Sequence, residues 1–95
     1  MKSLEKFTKL GFTFQEPSKK DKTWFFVKHT EKGGHTIQLW ITLRKRPVVE
    51  LLFDGSLLEP DPGSMMDIAI NEFLMELGYT EYIFKRWYYD SKVSK

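Results

Sequence analysis

The order of apolar runs predicts an α+β domain of two layers, an antiparallel β-meander with one long helix packed on one face, in the order α-β-β-β-β-α-β. Three observations carry this expectation. Between Thr23 and Asp54, three apolar segments are joined by two short turn-forming connections, one rich in glycine and one basic with a proline. From Ser64 to Leu77 apolar residues recur at helical spacing, and Gly78 follows as a stop signal. A shorter helical stripe, Leu4, Phe7 and Leu10, precedes the first strand and ends at Gly11.

Length and composition bound the rest. A chain of 95 residues reads as one domain over 1–90 with a tail over 91–95, large enough to bury roughly 60–70% of the surface its unfolded chain exposes. The aromatic share of 16% is high against a hydrophobic share of 41%, so a few large rings supply much of the core or of an interface. A net charge of +2 is too small to argue by itself for a polyanionic partner. With no cysteine, a disulfide framework, a thiolate metal site and a cysteine nucleophile are excluded. The first twelve residues carry charges every few positions and read as neither a signal peptide nor a membrane span; a cytoplasmic location is expected.

Taken in order, Ser3 precedes a first helix of about two turns, and Phe12 to Gln15 leaves Gly11 as a strand. Glu16 to Lys22 is a polar loop with a lysine cluster, Lys19, Lys20 and Lys22. Trp24 to His29 is the next strand. A three-residue loop, Glu31 to Gly33 with Gly33 left-handed, would set Thr30 opposite Gly34 and pair Val27 with Ile37, Phe25 with Leu39 and Trp24 with Trp40.

His35 to Leu43 has the clearest alternation in the chain, with Ile37, Leu39, Ile41 and Leu43 on one face and Thr36, Gln38, Trp40 and Thr42 on the other. Placing Val49, Leu51 and Phe53 on the same inward face pairs Leu43 with Val49 and Ile41 with Leu51. The turn is then Lys45-Arg46-Pro47, where the missing proline N–H breaks no ladder bond. Asp54-Gly55 ends the meander and Glu59 to Gly63 forms a stiff turn. Ser64 and Asp67 resemble a capping box with the shorter acid. The helix that follows presents Met66, Ala69, Ile70, Phe73, Leu74 and Leu77 inward and Asp67, Asn71, Glu72 and Glu76 outward. Tyr79 to Phe84 is a last strand. Leu10-Gly11-Phe12-Thr13 and Leu77-Gly78-Tyr79-Thr80 repeat the same helix end.

Motifs that carry chemistry are scarce. His29 and His35 flank the first hairpin on a shared face with Glu31 between them, yet no third spaced ligand accompanies them, so no metal is assigned. Glu50, Asp54, Glu59 and Asp61 have no spacing that supplies a cleft or shifted pKa values for acid-base work. No nucleotide-binding, hydrolase or metalloprotease signature is present. No cofactor, no small-molecule substrate and no enzymatic activity are expected.

The informative surface is the outward face of the meander, where this register places Trp24, Phe26, Trp40 and Leu52. Such an apolar patch marks a contact site. One reading covers it with the chain's own first helix or with Trp87, Tyr88 and Tyr89. The preferred reading is protein contact, as a homodimer or with another protein, anchored by these rings together with Arg44, Lys45, Arg46, Arg86 and Trp87. A third is single-stranded nucleic acid stacked on the rings, with the basic turns holding phosphates. The order of elements is similar in outline to small accessory proteins of mobile elements that bind a host protein, and no residue role follows from that likeness. The orientation of Trp24 and Phe26 rests on one residue of loop length, since a four-residue first loop turns both inward.

Overall fold

The computed structural model describes residues 1–85 except 19, 21 and 31. Its elements are α1 (Lys2–Lys9), β1 (Thr13–Gln15), β2 (Thr23–His29), β3 (Thr36–Thr42), β4 (Val48–Phe53), β5 (Ser56–Leu58), α2 (Met65–Glu76) and β6 (Ile83–Phe84). β1 to β5 form an antiparallel sheet in sequence order, and β6 adds parallel to β4. The α+β class stands, and the structure adds to the expected order one short strand, β5. That strand arises because Asp54 and Gly55 both take positive φ, 48° and 85°, the backbone a two-residue hairpin turn demands. Asp54-Gly55 therefore turns the chain back onto the sheet instead of releasing it.

Both helices lie on one sheet face and share one core with it. Phe7 of α1 packs on Phe26 of β2 at 4.4 Å between ring centroids, and Phe73 of α2 meets Phe26 at 5.5 Å and Trp24 at 5.1 Å. Leu39, Ile41, Val49, Ile70 and Leu74 complete the buried cluster. Each helix ends in the same reciprocal pair of backbone bonds. Phe12 N–H donates to Phe7 O and Gly11 N–H to Thr8 O; Tyr79 N–H donates to Leu74 O and Gly78 N–H to Met75 O. Gly11 and Gly78, at φ 96° and 93°, supply the left-handed residue this cap requires. The sequence echo between the two helix ends is this shared cap.

The first hairpin departs from the expected register by one residue. Thr30 N–H donates to His35 O at 2.8 Å, and Trp24 pairs with Ile41, Phe25 with Trp40 and Phe26 with Leu39. The loop therefore holds four residues, with Gly33 and Gly34 both left-handed. The Thr30 hydroxyl closes it, accepting from His35 N–H at 3.1 Å and donating toward Lys32 O and His35 O. One residue of slip reverses every side chain of a strand. Trp24 and Phe26 are accordingly 8% and 0% exposed and belong to the core, which corrects their placement on the outward face.

The second hairpin departs by two residues. Ile41 pairs with Val49 and Thr42 with Val48, not Leu43 with Val49. Leu43 N–H instead extends the bonding to β2 through Lys22 O, and buried Pro47 gives its carbonyl to Ile83 N–H of β6. A slip of two preserves parity, so Val49, Leu51 and Phe53 still face inward. At the start of α1, Met1 and not Ser3 is the N-cap. At α2, Ser64 Oγ accepts from Asp67 N–H as expected, whereas the Asp67 carboxylate accepts from Gly63 N–H.

Glu72 and Glu76, expected outward, join α2 to α1. Glu76 accepts the N–H groups of Lys2 at 3.0 Å and Ser3 at 2.9 Å, and Lys6 Nζ lies 2.5 Å from Glu72 Oε1. The C-terminal end of α2 thus supplies the anion that the free N–H groups and positive dipole end of α1 favour. The Ser3 side chain beside the carboxylate, followed by the backbone N–H groups of Ser3 and Lys2, holds the Glu76 pKa below its ordinary 4.5. A depressed carboxylate pKa contributes stability that is full above the unfolded value and lost as pH falls through the folded one. Glu76→Gln is therefore expected to lower the melting temperature at pH 7. The gap to wild type should narrow as pH falls below about 4.5 in thermal denaturation followed by circular dichroism. A gap that stays constant down to pH 3 would refute the electrostatic tie.

Candidate functional site

With α1 and α2 on one face, the opposite face of the sheet is the open one among the described residues. Its rows follow from the pairing: Val27, Gln38, Leu52 and Leu57 in one, Phe25, Trp40 and Glu50 in the next, then Thr23, Thr42, Val48 and Ile83. Phe25 and Trp40 are directly opposite across β2 and β3, with ring centroids 4.2 Å apart and planes tilted by 37°. Cross-strand aromatic pairs of this kind stabilise a sheet and leave one flat apolar surface.

Beside that pair lies a groove of about 320 Å³, floored by Phe25 and Trp40 and walled by Gln15, Glu16, Pro17, Ser18 and Thr23. The wall exists because β1 runs out at Gln15 opposite Phe25 and Glu16, Pro17 and Ser18 follow it along the groove. Glu50 is the one carboxylate among the outward residues of the described strands, placed next to Trp40.

The sequence-derived candidates divide accordingly. Trp40 and Leu52 lie on the open face, while Trp24 and Phe26 lie beneath the sheet among Phe7, Phe14 and Phe73. Phe25 and Val27 take their places. Arg44, Lys45 and Arg46 are exposed in the turn between β3 and β4, at the Thr42 end of the open face, with Arg46 3.4 Å from Glu81. Arg86, Trp87, Tyr88, Tyr89 and Lys19 lie outside the described residues. Phe25 and Val27 were missed because Trp24-Phe25-Phe26-Val27 is apolar throughout and has no alternation of its own to set its faces.

The hairpin histidines do not converge. His29 Nδ1 meets Thr36 Oγ1 at 3.2 Å, whereas His35 Nδ1 lies 2.5 Å from Asp54 Oδ2. Asp54 also accepts Thr36 N–H at 2.8 Å. This backbone bond, then the His35 contact, lowers its pKa from 3.8. The arrangement locks two neighbouring turns together, and no group of three metal-ligating side chains exists among the described residues. Glu50, Glu59 and Asp61 are likewise dispersed over the open face and the loop before α2.

A second apolar pocket, about 350 Å³, opens on the helix side between Leu10, Phe12, Ile37, Leu51, Phe53 and Met66. Lys28, inward by parity, lies at its wall with its ammonium 5.9 Å from the Phe12 ring centre, and Glu59 and Asp61 line it as well. These opposed charges select no ligand class.

Fold and surface together define a small two-layer α+β domain with one helix-covered sheet face and one open aromatic face. No protein-family model, no curated protein and no solved structure matches the chain. No helix among the described residues is long and apolar enough to cross a membrane.

Proposed function

We propose that this chain is a non-enzymatic binding module that receives a protein partner on its open sheet face, a second copy or an unrelated protein such as the host target of a mobile-element accessory protein. The observation that carries this reading is the Phe25–Trp40 pair, set at 4.2 Å in the floor of a groove. Aromatic floor and polar surround match the anatomy of protein interfaces, in which desolvated rings supply most of the binding energy and a polar rim excludes water. Val27, Leu52 and Leu57 extend the apolar floor along the next row. Single-stranded nucleic acid is the less favoured ligand. Glu50 sits beside Trp40, where a stacked base would bring its phosphates, and the described basic residues next to the face, Lys20, Lys22, Arg44, Lys45 and Arg46, are gathered at one end of it.

Trp40→Ala is expected to weaken the contact by 10-fold or more, about 2 kcal/mol as for an interface anchor. Light scattering after size-exclusion chromatography measures self-association, and a photo-crosslinking residue in place of Gln38 captures an unrelated protein. A monomer at all concentrations, with no crosslinked product sensitive to Trp40→Ala, would remove the proposal. Tight binding of single-stranded DNA at low salt, falling with a slope of several phosphates as salt rises, would favour nucleic acid instead.

A further inference from the structure

One edge of the sheet is β1, which has β2 as its one strand neighbour among the described residues. Its unpaired side can be assigned group by group. Thr30 N–H bonds His35 O and Leu43 N–H bonds Lys22 O, so the even-numbered residues of β2 turn their backbone groups to β3. Phe25 and Val27 turn theirs to β1, where Gln15 and Thr13 meet them. The N–H and C=O of Phe14 are therefore directed off the sheet. Edges are commonly blunted by lysine, proline or a bulge. Thr13-Phe14-Gln15 contains none of these and pairs with β2 in unbroken register.

Phe14 is also the one residue of β1 that faces the helices. Its ring lies 6.2 Å from that of Trp24 and 6.0 Å from that of Phe26, yet it is 37% exposed. A groove of about 410 Å³ opens beside it, lined by Leu4, Glu5, Thr8 and Lys9 of α1. Glu5 and Lys9 have no ion-pair partner in their own chain among the described residues.

A strand added antiparallel to β1 centres on Phe14, whose N–H and C=O then exchange two bonds with a single residue. A second copy of the chain meets this condition with its own Phe14, related by a two-fold axis perpendicular to the sheet. The same axis sets the two α1 helices antiparallel across the joint, with Glu5 of each facing Lys9 of the other. The charges are self-complementary. Spacing agrees, because α1 lies over β2 through Phe7 and Phe26, and two β2 strands separated by two β1 strands stand about 14 Å apart at about 4.8 Å per strand. Packed helices stand about 8–10 Å apart, so the remaining gap is one that the two Phe14 rings fill.

We propose that two copies join edge to edge through β1, Phe14 opposite Phe14, to make one continuous sheet. Thr13 of the second copy then stands opposite Gln15, which walls the groove floored by Phe25 and Trp40. The row Trp40, Phe25, Gln15 runs on into Thr13 and Val27 of the second copy. The two open faces become one surface with a groove on either side of the axis. This enlargement of the site rests on reading the open face as a binding surface; the edge pairing does not.

Sedimentation equilibrium of two single variants and of their mixture tests the pairing. Glu5→Lys makes the α1 charges at the joint all basic, and Lys9→Glu makes them all acidic. Each variant alone is expected to raise the dimer dissociation constant about 10-fold or more, since both facing pairs turn repulsive. An equimolar mixture should recover a dimer at least as tight as wild type, because a basic copy and an acidic copy restore both pairs. Both positions are exposed on α1, and a circular dichroism melt checks that each variant folds. Exchange of the Phe14 amide hydrogen supplies the second readout. It should slow as the concentration of wild type or of the mixture rises, while the Phe26 amide, paired within the chain to Leu39, stays unchanged. A wild-type chain that is monomeric at millimolar concentration, or a mixture that associates no better than either variant alone, would overturn the proposal. Self-association abolished by Trp40→Ala, with Phe14 exchange independent of concentration, would overturn it in favour of contact through the open faces. A dimer that follows the charge rule while Trp40→Ala alters no captured product leaves the edge pairing standing and counts against the binding function alone.

Discussion

Phe26→Ala is expected to destabilise the domain by about 3–5 kcal/mol, whereas Phe25→Ala, one residue away, should cost about 1 kcal/mol or less. Phe26 is fully buried and touches Phe7 at 4.4 Å and Phe73 at 5.5 Å, joining both helices to the sheet. Its truncation removes the transfer energy of a whole ring and leaves a cavity among rigid rings that cannot collapse to fill it. Against a total stability of about 5–15 kcal/mol, such a loss unfolds much of the population. Phe25 is only partly buried and has Trp40 as its ring neighbour at 4.2 Å, so its loss removes little buried surface and leaves no enclosed cavity. Urea denaturation of both variants measures the difference. A larger loss for Phe25→Ala than for Phe26→Ala would refute the facing of β2, because the alternative register exchanges the two residues.

Deleting Gly34 should be more damaging than substituting it. A three-residue loop imposes the alternative parity on β2, turning Trp24 and Phe26 to the open face and Phe25 and Val27 to the core. Exposing two large rings costs about 1.5–3 kcal/mol each before any repacking. The expected product is an unfolded or loosely packed chain, seen as loss of the near-ultraviolet circular dichroism of the buried rings. Gly34→Ala keeps the loop length and pays only for a left-handed alanine with open space around its Cβ, about 1–2 kcal/mol. Retention of a cooperative melting transition at wild-type temperature after deletion would refute the dependence on loop length.

Much of the architecture was legible in the chain. The alternation of Ile37, Leu39 and Ile41 assigned the inner face of β3 correctly, and parity carried that assignment to Val49, Leu51 and Phe53 even though the second hairpin is two residues out of the expected register. The α2 stripe matched its buried residues, Ala69, Ile70, Phe73 and Leu74. The aromatic floor of the candidate site was half legible. Trp40 and Leu52 lie on strands that alternate, whereas the apolar run Trp24 to Val27 fits either facing, and turn chemistry alone had to decide between them. Thr30-Glu31-Lys32-Gly33-Gly34 is compatible with a loop of three residues or of four.

Periodicity, helix caps and the absence of cysteine were thus properties of the sequence itself, because each depends on residues within a few positions of one another. The facing of β2, the carboxylates of Glu72 and Glu76 turned to α1, and the meeting of β5 with β6 on one edge of β4 depend on contacts between distant segments. The four-residue loop buries Trp24 and Phe26 where a three-residue loop would bury Phe25 and Val27, and the larger apolar area removed from water outweighs the cost of one more turn residue. That balance is struck between β2, α1 and α2, and only the folded arrangement shows that Phe25, not its neighbours, stands beside Trp40 on the open face.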